Sequence, residues 1–264
     1  MRSCLHALCR SNRKRPPWRR QVSGTQVDAE RPVSGADSQT NQNLNWWWIR
    51  HAPTGRSGCM IGSTDVPAIL PDQECLKGFA LSLPEKASWI VSPMSRCRQT
   101  AEALLQVSHN PDVVPDINPA FVEQDFGAWE EQSYDTPAIR DAAEFWRDPG
   151  NTAPPDGESF ATMASRVQKE IIALCDHEDF SGVENIVVVA HAGVIRAAVA
   201  LALDLTPEQA LRLQIDPLSL TRTTRYVSSE NSSDNQSITW SVQCLNQNPN
   251  QNQNQSSAIP VRSK

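Results

Sequence analysis

The stretch "WWWIRHAPTG" at residues 46–55 decides the fold, because an apolar run passes directly into an arginine, a histidine and, two residues later, a proline. Three tryptophans followed by an isoleucine predict a buried strand at 46–50. Because neighbouring residues of a strand point to opposite faces, we expect the tryptophans to pack in the core with one ring exposed. Arg50 and His51 then stand at the carboxyl end of that strand.

Strand-like runs and helical patterns alternate along the rest of the chain. The runs at 88–92 and 185–191 are almost continuously apolar, as expected of strands covered on both faces. The other expected strands are 112–117, placed at an edge because of Pro115, 220–227 and 237–245. The expected helices are 95–107, 159–177 and 193–203. This alternation predicts an α/β fold, a three-layer α/β/α sandwich with a mostly parallel sheet.

The composition divides the chain into three parts. Residues 45–245 are expected to form one folded domain. Residues 1–44 are expected to be a disordered basic and polar extension, although their first 20 residues, with seven Lys and Arg and no acid, also allow an organelle transit peptide or a start site set too early. Residues 246–264 are expected to be a disordered tail rich in asparagine and glutamine.

The distribution of charge and cysteine argues against several classes of function. The net charge of −6 becomes −13 over residues 21–264 once the basic start is set apart. Such an acidic body argues against nucleic acid or an anionic membrane as the main partner, although nucleic-acid binding by the basic N-terminus stays a separate hypothesis. Seven cysteines without a CxxC pair indicate a reduced, cytoplasmic protein without a zinc site. No apolar run reaches the roughly 20 residues of a membrane span.

Three strands of the predicted sheet end in side chains that suit an anion. Arg50 and His51 end the first strand, and His191 ends the strand at 185–191. Arg96 follows a Ser-Pro pair after the strand at 88–92, in the first turn of the next helix. Because ligands of parallel sheets bind beyond the carboxyl ends of the strands, we expect these two arginines and two histidines to meet at one edge.

This combination of side chains suits phosphoryl transfer. Two guanidinium groups can hold a phosphoryl dianion, one histidine can attack phosphorus, and a second can donate to the oxygens on which charge accumulates. A carboxyl group is then needed to protonate the departing oxygen. Glu123 is the best candidate because it follows an apolar pair and precedes a tight turn at Gly127. Asp125, Glu130 and Glu131 stay open as rivals.

Four blocks of the sequence, in order, resemble the histidine phosphatase superfamily, which has the phosphoglycerate-mutase-like fold. "RHAPT" (50–54) is similar to the Arg-His-Gly-x-Thr signature of that family, and "SPMSRCRQTAEAL" (92–104) to its Ser-Pro-x-x-Arg-Ala-x-Gln-Thr-Ala segment. "EQDFGAWE" (123–130) is similar to its Glu-x-x-Phe-Gly-x-Trp-Glu segment, and "AHAGVIRA" (190–197) to its second histidine block. The resemblance covers about residues 50–245, and four ordered blocks are far more specific than one.

The resemblance implies a metal-independent phosphomonoesterase that needs no cofactor and acts on a small phosphate ester. His51 would be the nucleophile that becomes phosphohistidine, and His191 would stabilise the phosphoryl oxygens. Arg50 and Arg96 would bind the phosphoryl group. Glu123 would protonate the leaving group and then act as base for the water that hydrolyses the intermediate.

Two positions depart from the family pattern at the expected site. Ala52 replaces the usual glycine beside the nucleophile, which restricts the backbone and adds a methyl group. Ser57 stands where many members carry a phosphate-binding asparagine. Its hydroxyl group can still donate, so Ser57 is a candidate for substrate binding, against the alternative that it takes no part.

The choice within the family also depends on sequence. "CMIGSTD" (59–65) stands where the mutase branch usually has Asn-x-Phe-x-Gly-Trp, which favours hydrolysis over transfer. "GESF" (157–160) resembles the phosphatase branch that includes alpha-ribazole phosphatase. Two alternatives are kept, a phosphoglycerate-mutase-type phosphotransferase and a pseudo-enzyme that binds a phosphorylated ligand without turnover.

Overall fold

A computed structural model describes residues 43–229 and 236–250. The strands are β1 (Leu44–Arg50), β2 (Ser88–Val91), β3 (Asp116–Ile117), β4 (Asn185–Ala190), β5 (Leu220–Ser229) and β6 (Gln236–Gln247). The α-helices are α1 (Gln73–Ala80), α2 (Ser95–Val107), α3 (Pro137–Arg140), α4 (Ala143–Arg147), α5 (Phe160–Cys175), α6 (Ala192–Leu203) and α7 (Pro207–Leu211). The expected N-terminal extension, apart from its last two residues, and most of the expected C-terminal tail lie outside the described residues, so the three-part division stays a prediction.

The described strands form one sheet in the order β3-β2-β4-β1-β5-β6. Neighbours from β3 to β1 pair in parallel, whereas β1–β5 and β5–β6 are antiparallel. The register pairs Arg50 with Ala190 and Val91 with Val189, so β1, β4 and β2 end at the same level. The expected mostly parallel sheet is confirmed.

Helices cover both faces of the sheet, which confirms the three-layer α/β/α sandwich. On one face, Trp46 and Trp48 are fully buried against side chains of α5 and α6, and their rings stack with centroids 5.2 Å apart. On the other face, Ile49, Val187 and Val189 pack against side chains of α1 and α2. The third tryptophan, Trp47, points to this second face; its ring is only partly exposed, because the Arg222 guanidinium carbon lies 4.3 Å from the ring centre.

The structure differs from the sequence-based expectations mainly in the short elements. The strand expected at 112–117 pairs only through Asp116 and Ile117, and Pro115, which has no backbone N–H group, directly precedes this short pairing. The helix α1 was not expected; Asp72 begins it, and its carboxylate accepts a hydrogen bond from the Cys75 amide. The long helices agree closely with expectation, since α2 spans 95–107 and α6 begins one residue early.

Candidate active site

The ends of three parallel strands bring the two predicted histidines together. The His51 amide donates to the Ala190 carbonyl at 3.0 Å, so β1 continues beside β4 up to His191. The two imidazole rings lie with centroids 5.2 Å apart and planes 64° apart. His51 is 7% exposed and His191 is fully buried. The structure thus brings together the two side chains that strand-end reasoning placed at this edge.

The hydrogen bond of His51 fixes which ring nitrogen is available. Nδ1 lies 2.7 Å from the Ala52 carbonyl, which can only accept, so we assign the ring hydrogen to Nδ1. Nε2 then carries the lone pair. Burial lowers the pKa of His51 to about 3, and the nearby positive charges of Arg96 and Arg50 add to this effect, while the bond to the Ala52 carbonyl opposes it. The imidazole is therefore neutral and nucleophilic at neutral pH.

Ala52 fits its position without backbone strain. Its φ is not positive, so the backbone here does not need the glycine that is usual in the family. The methyl group is fully buried, and the amide donates to the Thr100 hydroxyl oxygen at 2.9 Å. The substitution therefore leaves the loop after β1 well anchored.

Arg96 lies at the centre of the site and is 1% exposed. Its Nε donates to His191 Nδ1 at 3.2 Å. Its Nη1 and Nη2 donate to the carbonyl oxygens of Thr64 and Gly62 at 2.8 and 2.6 Å. These bonds use three of the five guanidinium N–H donors, so Nη1 and Nη2 each keep one hydrogen for an anion.

The contacts of His191 also define its tautomer. Because Nδ1 accepts from Arg96, the ring hydrogen belongs on Nε2, which donates to the Ser92 hydroxyl oxygen at 2.8 Å. Burial lowers the pKa of His191 well below its ordinary value, and the charge of Arg96 lowers it further. A neutral His191 with an Nε2–H can donate to a phosphoryl oxygen only if it exchanges the bond to Ser92.

Arg50 reaches the same region from the end of β1. Its Nη1 donates to the Ile215 carbonyl at 2.6 Å, whereas its Nε is buried and has no hydrogen-bond partner among the described residues. Burial lowers the pKa of Arg50, and the carboxylate of Glu123 opposes that effect. Arg50 therefore has an unused donor and a nearby carboxylate.

Glu123 is 9% exposed and is held directly against the second histidine block. One carboxylate oxygen, Oε1, accepts from the Gln124 amide, and the other, Oε2, accepts from the Gly193 amide, each at 3.0 Å. Gly193 leaves no room for a larger residue, since a Cβ there would lie 2.2 Å from Oε1 of Glu123. The Glu123 carboxyl group is thus held against the Gly193 amide, which follows His191 by two residues in the sequence.

The rival carboxylates have other partners. Glu130 accepts hydrogen bonds from four backbone amides, so it organises the loop whose carbonyls hold Arg96; the donors are Gly62, Ser63, Thr64 and Phe126. Burial on its own would raise the pKa of Glu130, but these hydrogen bonds bring it below its ordinary value.

Within the described part of the chain, the other candidate side chains form no hydrogen bond to His51, to His191 or to the residues next to them, and they have other partners or positions. Asp125 accepts from the Gly127 amide at 2.8 Å, and Glu131 forms an exposed ion pair with Arg56 at 3.5 Å. Ser57, the candidate for substrate binding, is exposed in a turn. The geometry therefore favours Glu123 among the four carboxylates.

Two further side chains border the site and were missed by sequence reasoning. Arg196 lies on α6 and donates from Nε to the Leu213 carbonyl at 2.9 Å. Burial lowers its pKa, and the charge of Glu123 opposes this. Burial raises the pKa of the partly exposed Tyr134, while Arg196 and Arg50 act in the opposite direction. Arg196 could have been suspected because it belongs to the 190–197 block, but no sequence pattern marks Tyr134.

No cluster of three or more His, Cys, Asp or Glu side chains is arranged to hold a metal ion within residues 43–229 and 236–250. None of the helices in these ranges is long and apolar enough to cross a membrane.

Comparison with known proteins shows the family. Residues 46–232 match the family model described as histidine phosphatase superfamily (branch 1). The chain therefore belongs to the histidine phosphatase superfamily, and the expected family membership and phosphoglycerate-mutase-like fold are confirmed.

The similar proteins include phosphatases and a mutase. An adenosylcobalamin/alpha-ribazole phosphatase from Salmonella typhimurium is 28% identical over 165 residues, which cover 60% of this chain and 78% of that protein. A mycobacterial glucosyl-3-phosphoglycerate phosphatase has a similar structure, with a TM-score of 0.64 and 22% identity over 77% of this chain and 99% of that one. The phosphoglycerate mutase of Bacillus anthracis shares the fold with a TM-score of 0.63 and 17% identity, covering 79% and 95%. The fold alone does not separate hydrolysis from transfer.

Proposed function

We propose that this protein is a phosphomonoesterase that hydrolyses a small phosphate ester through a phosphohistidine on Nε2 of His51. The observation that carries the proposal is the 2.7 Å bond from Nδ1 of His51 to the Ala52 carbonyl, which leaves Nε2 free of hydrogen. The depressed pKa of His51 keeps this nitrogen unprotonated at neutral pH. The relatives named as phosphatases support the choice of hydrolysis.

Binding of the phosphoryl group is assigned to Arg50 and Arg96. The buried Nε of Arg50 has an unused hydrogen, and Nη1 and Nη2 of Arg96 each keep one. Charge-assisted bonds from guanidinium groups are roughly twice as strong as neutral ones, which suits a dianion in an acidic protein. His191 adds a neutral donor once a phosphoryl oxygen replaces Ser92 as its acceptor. Ser57, exposed in its turn, is kept as a peripheral contact only.

The reaction then proceeds in two displacements. The lone pair of His51 Nε2 forms a bond to phosphorus while the ester P–O bond breaks, and the departing oxygen takes a proton from the Glu123 carboxyl group. Water next attacks the phosphohistidine, giving its proton to the Glu123 carboxylate, and the N–P bond breaks. Phosphate leaves with His51 and Glu123 restored, so the chain's own side chains suffice and neither metal nor cofactor is part of the proposal.

Within the family, two alternatives make different predictions. A mutase would isomerise phosphoglycerate and would need a phosphorylated donor, and the "CMIGSTD" segment at 59–65 lacks the pattern usual for that branch. A pseudo-enzyme would bind phosphate without turnover. Ala52 and Ser57 both raise this alternative, and the unstrained backbone at Ala52 argues against one of these two reasons. We also propose that the enzyme is cytoplasmic and has one catalytic domain at residues 45–245. Its partner is a small-molecule substrate, and neither a nucleic acid nor a membrane is proposed as a partner.

The test is hydrolysis of p-nitrophenyl phosphate by the full chain in the presence of EDTA, beside a mutase assay with 3-phosphoglycerate and catalytic 2,3-bisphosphoglycerate. The proposal expects phosphate release that EDTA leaves unchanged and that His51→Ala abolishes. His109→Ala is the matched control, since His109 is an exposed histidine away from the strand ends, and it should keep full activity. Isomerisation faster than hydrolysis, or tight phosphate binding without turnover, would replace the proposal by one of the alternatives.

A further inference from the structure

The side chain of Arg166, on α5, fastens the backbone that carries Glu123. Its Nη1 donates to the carbonyl oxygens of Ala120 and Val122, at 2.8 and 2.9 Å. Its Nη2 donates to Oε1 of Glu158 at 2.6 Å. One guanidinium group therefore connects α5, the segment just before Glu123 and the 157–160 segment that the mechanism does not otherwise use.

Glu158 continues the connection on the far side of Glu123. Its Oε1 accepts from the Asp125 amide at 3.3 Å, and its own amide donates to the Asp125 carbonyl at 2.9 Å. Its carbonyl accepts from the Gln124 side-chain amide at 2.9 Å. Residues 122, 124 and 125 are all tied to this pair, so the backbone around Glu123 is held on both sides.

The Arg166–Glu158 pair is more protected than an ordinary surface ion pair. The exposed side-chain fractions are 30% for Arg166 and 21% for Glu158, against 58% and 61% for Arg140 and Asp141. The acceptors of Arg166 in these bonds are two carbonyls and a carboxylate of the protein. Holding them requires the rigid fork of an arginine, which the single ammonium group of a lysine does not reproduce.

We propose that Arg166 and Glu158 are positioning residues for proton donation by Glu123. This inference rests on the proposed role of Glu123 as proton donor. Neither side chain is placed against the substrate; each acts by fixing where the Glu123 carboxyl group stands relative to the departing oxygen. General acid catalysis contributes about 10²- to 10⁴-fold, and a displacement of about 1 Å can remove 10²-fold, so loosening this backbone has a large kinetic effect.

The test compares two substrates that differ in their need for a proton. The p-nitrophenolate of p-nitrophenyl phosphate leaves without being protonated, whereas the alkoxide of glycerol 2-phosphate must receive a proton as it leaves. The measured quantity is kcat/KM, which reports the steps up to and including departure of the leaving group. It is therefore independent of the later hydrolysis of the phosphohistidine. The ratio of the two values is unaffected by the fraction of folded enzyme, because unfolding lowers both equally. A variant that folds poorly therefore still gives an answer.

The variants are Arg166→Lys and Glu158→Gln, with Glu123→Gln as reference. Glu123→Gln should lower kcat/KM for glycerol 2-phosphate by about 100-fold or more and change p-nitrophenyl phosphate far less. Arg166→Lys and Glu158→Gln should reproduce the same selectivity with losses of about tenfold on the alkyl ester. Asp176→Asn, which removes the 3.0 Å ion pair with Arg225 elsewhere in the chain, is the control and should leave the ratio unchanged.

The outcomes separate this inference from the proposed function. If Glu123→Gln lowers kcat/KM equally for both substrates, the assignment of Glu123 as proton donor fails. A second outcome is that Glu123→Gln lowers kcat/KM mainly for glycerol 2-phosphate, while Arg166→Lys and Glu158→Gln lower it equally for both substrates or leave it unchanged. In that case the positioning role is wrong and the pair is only structural. Selective loss in all three variants, with no further loss when Arg166→Lys is added to Glu123→Gln, supports the inference.

Discussion

Replacing Gly193 with alanine perturbs the candidate proton donor by a single methyl group. The added Cβ would lie 2.2 Å from Oε1 of Glu123 and 2.9 Å from the terminal methyl of Met163. The Met163 side chain is flexible and can yield. Glu123 cannot yield without stretching its bonds to the Gly193 and Gln124 amides, because both of its oxygens are used.

The expected effect follows from that overlap. To restore ordinary van der Waals contact at 3.4 Å, the carboxylate must move by about 1.2 Å. A displacement of about 1 Å costs on the order of 100-fold in rate, or about 2.7 kcal/mol of barrier. We therefore expect Gly193→Ala to lower kcat/KM for glycerol 2-phosphate about 100-fold. Competitive inhibition by inorganic phosphate should change little, because Arg50 and Arg96 keep their contacts.

The assay is continuous measurement of phosphate release, with phosphate inhibition measured on the same samples. The matched control is Gly193→Ala made in the Glu123→Gln background, where the methyl group should cause little further loss. Wild-type kcat/KM in Gly193→Ala would refute the reasoning, because the enzyme would then tolerate a displaced Glu123. An equal loss in both backgrounds would also contradict it and would show that the methyl group acts elsewhere.

Three further predictions concern His51, Glu130 and Ala52. The pKa of His51 is lowered from 6.5 to about 3 in the folded protein, so its contribution to the free energy of unfolding is complete above pH 6.5. This contribution is lost as the pH falls towards 3, by about 1.4 kcal/mol per pH unit. In urea titrations between pH 6 and 4, the free energy of unfolding should therefore depend less steeply on pH in His51→Ala than in the wild type. Glu130→Gln removes a charged acceptor from four amides, so the free energy of unfolding should fall by about 1–3 kcal/mol and phosphate inhibition should weaken, since the loop that holds Arg96 loosens; unchanged inhibition would show that this loop does not affect phosphate binding. Ala52→Gly should keep catalytic activity and lower the free energy of unfolding by about 1 kcal/mol, and a large gain in kcat would instead show that the methyl group hinders the reaction.

The arrangement of the long elements could be predicted from the sequence because each has a strong pattern. The continuous apolar runs specify strands buried on both faces, and the common level at which β1, β2 and β4 end follows from parallel pairing. For that reason the sequence alone predicts that His51, Arg96 and His191 lie at one edge of the sheet. Their mutual geometry agrees with this placement, while their catalytic roles stay predictions.

The remaining features of the site depend on contacts between segments that no local pattern encodes. Four carboxylates lie within nine residues; the sequence favours Glu123 among them, and the hydrogen bond from the Gly193 amide, 70 residues away along the chain, is the contact that no local pattern could show. The strand expected at 112–117 is too long, because its apolar residues indicate a strand, whereas only the two residues after Pro115 pair with β2. Tyr134 reaches the site through pairing of the 57–60 segment with 132–134, including the bond from its amide to the Gly58 carbonyl. Such pairings are set by tertiary structure, not by periodicity.

The most direct measurement of the central claim is identification of the phosphorylated atom during turnover. Enzyme mixed with ³²P-labelled substrate is quenched in alkali and digested, and the radioactive peptide is identified by mass spectrometry. A parallel sample made with unlabelled substrate is analysed by ³¹P NMR, which distinguishes the two phosphohistidine isomers. Because Nδ1 of His51 is held by the Ala52 carbonyl, the label should appear on Nε2 of His51 and be absent in His51→Ala. Label on Nδ1 or on another residue, or turnover that survives His51→Ala, would contradict the mechanism.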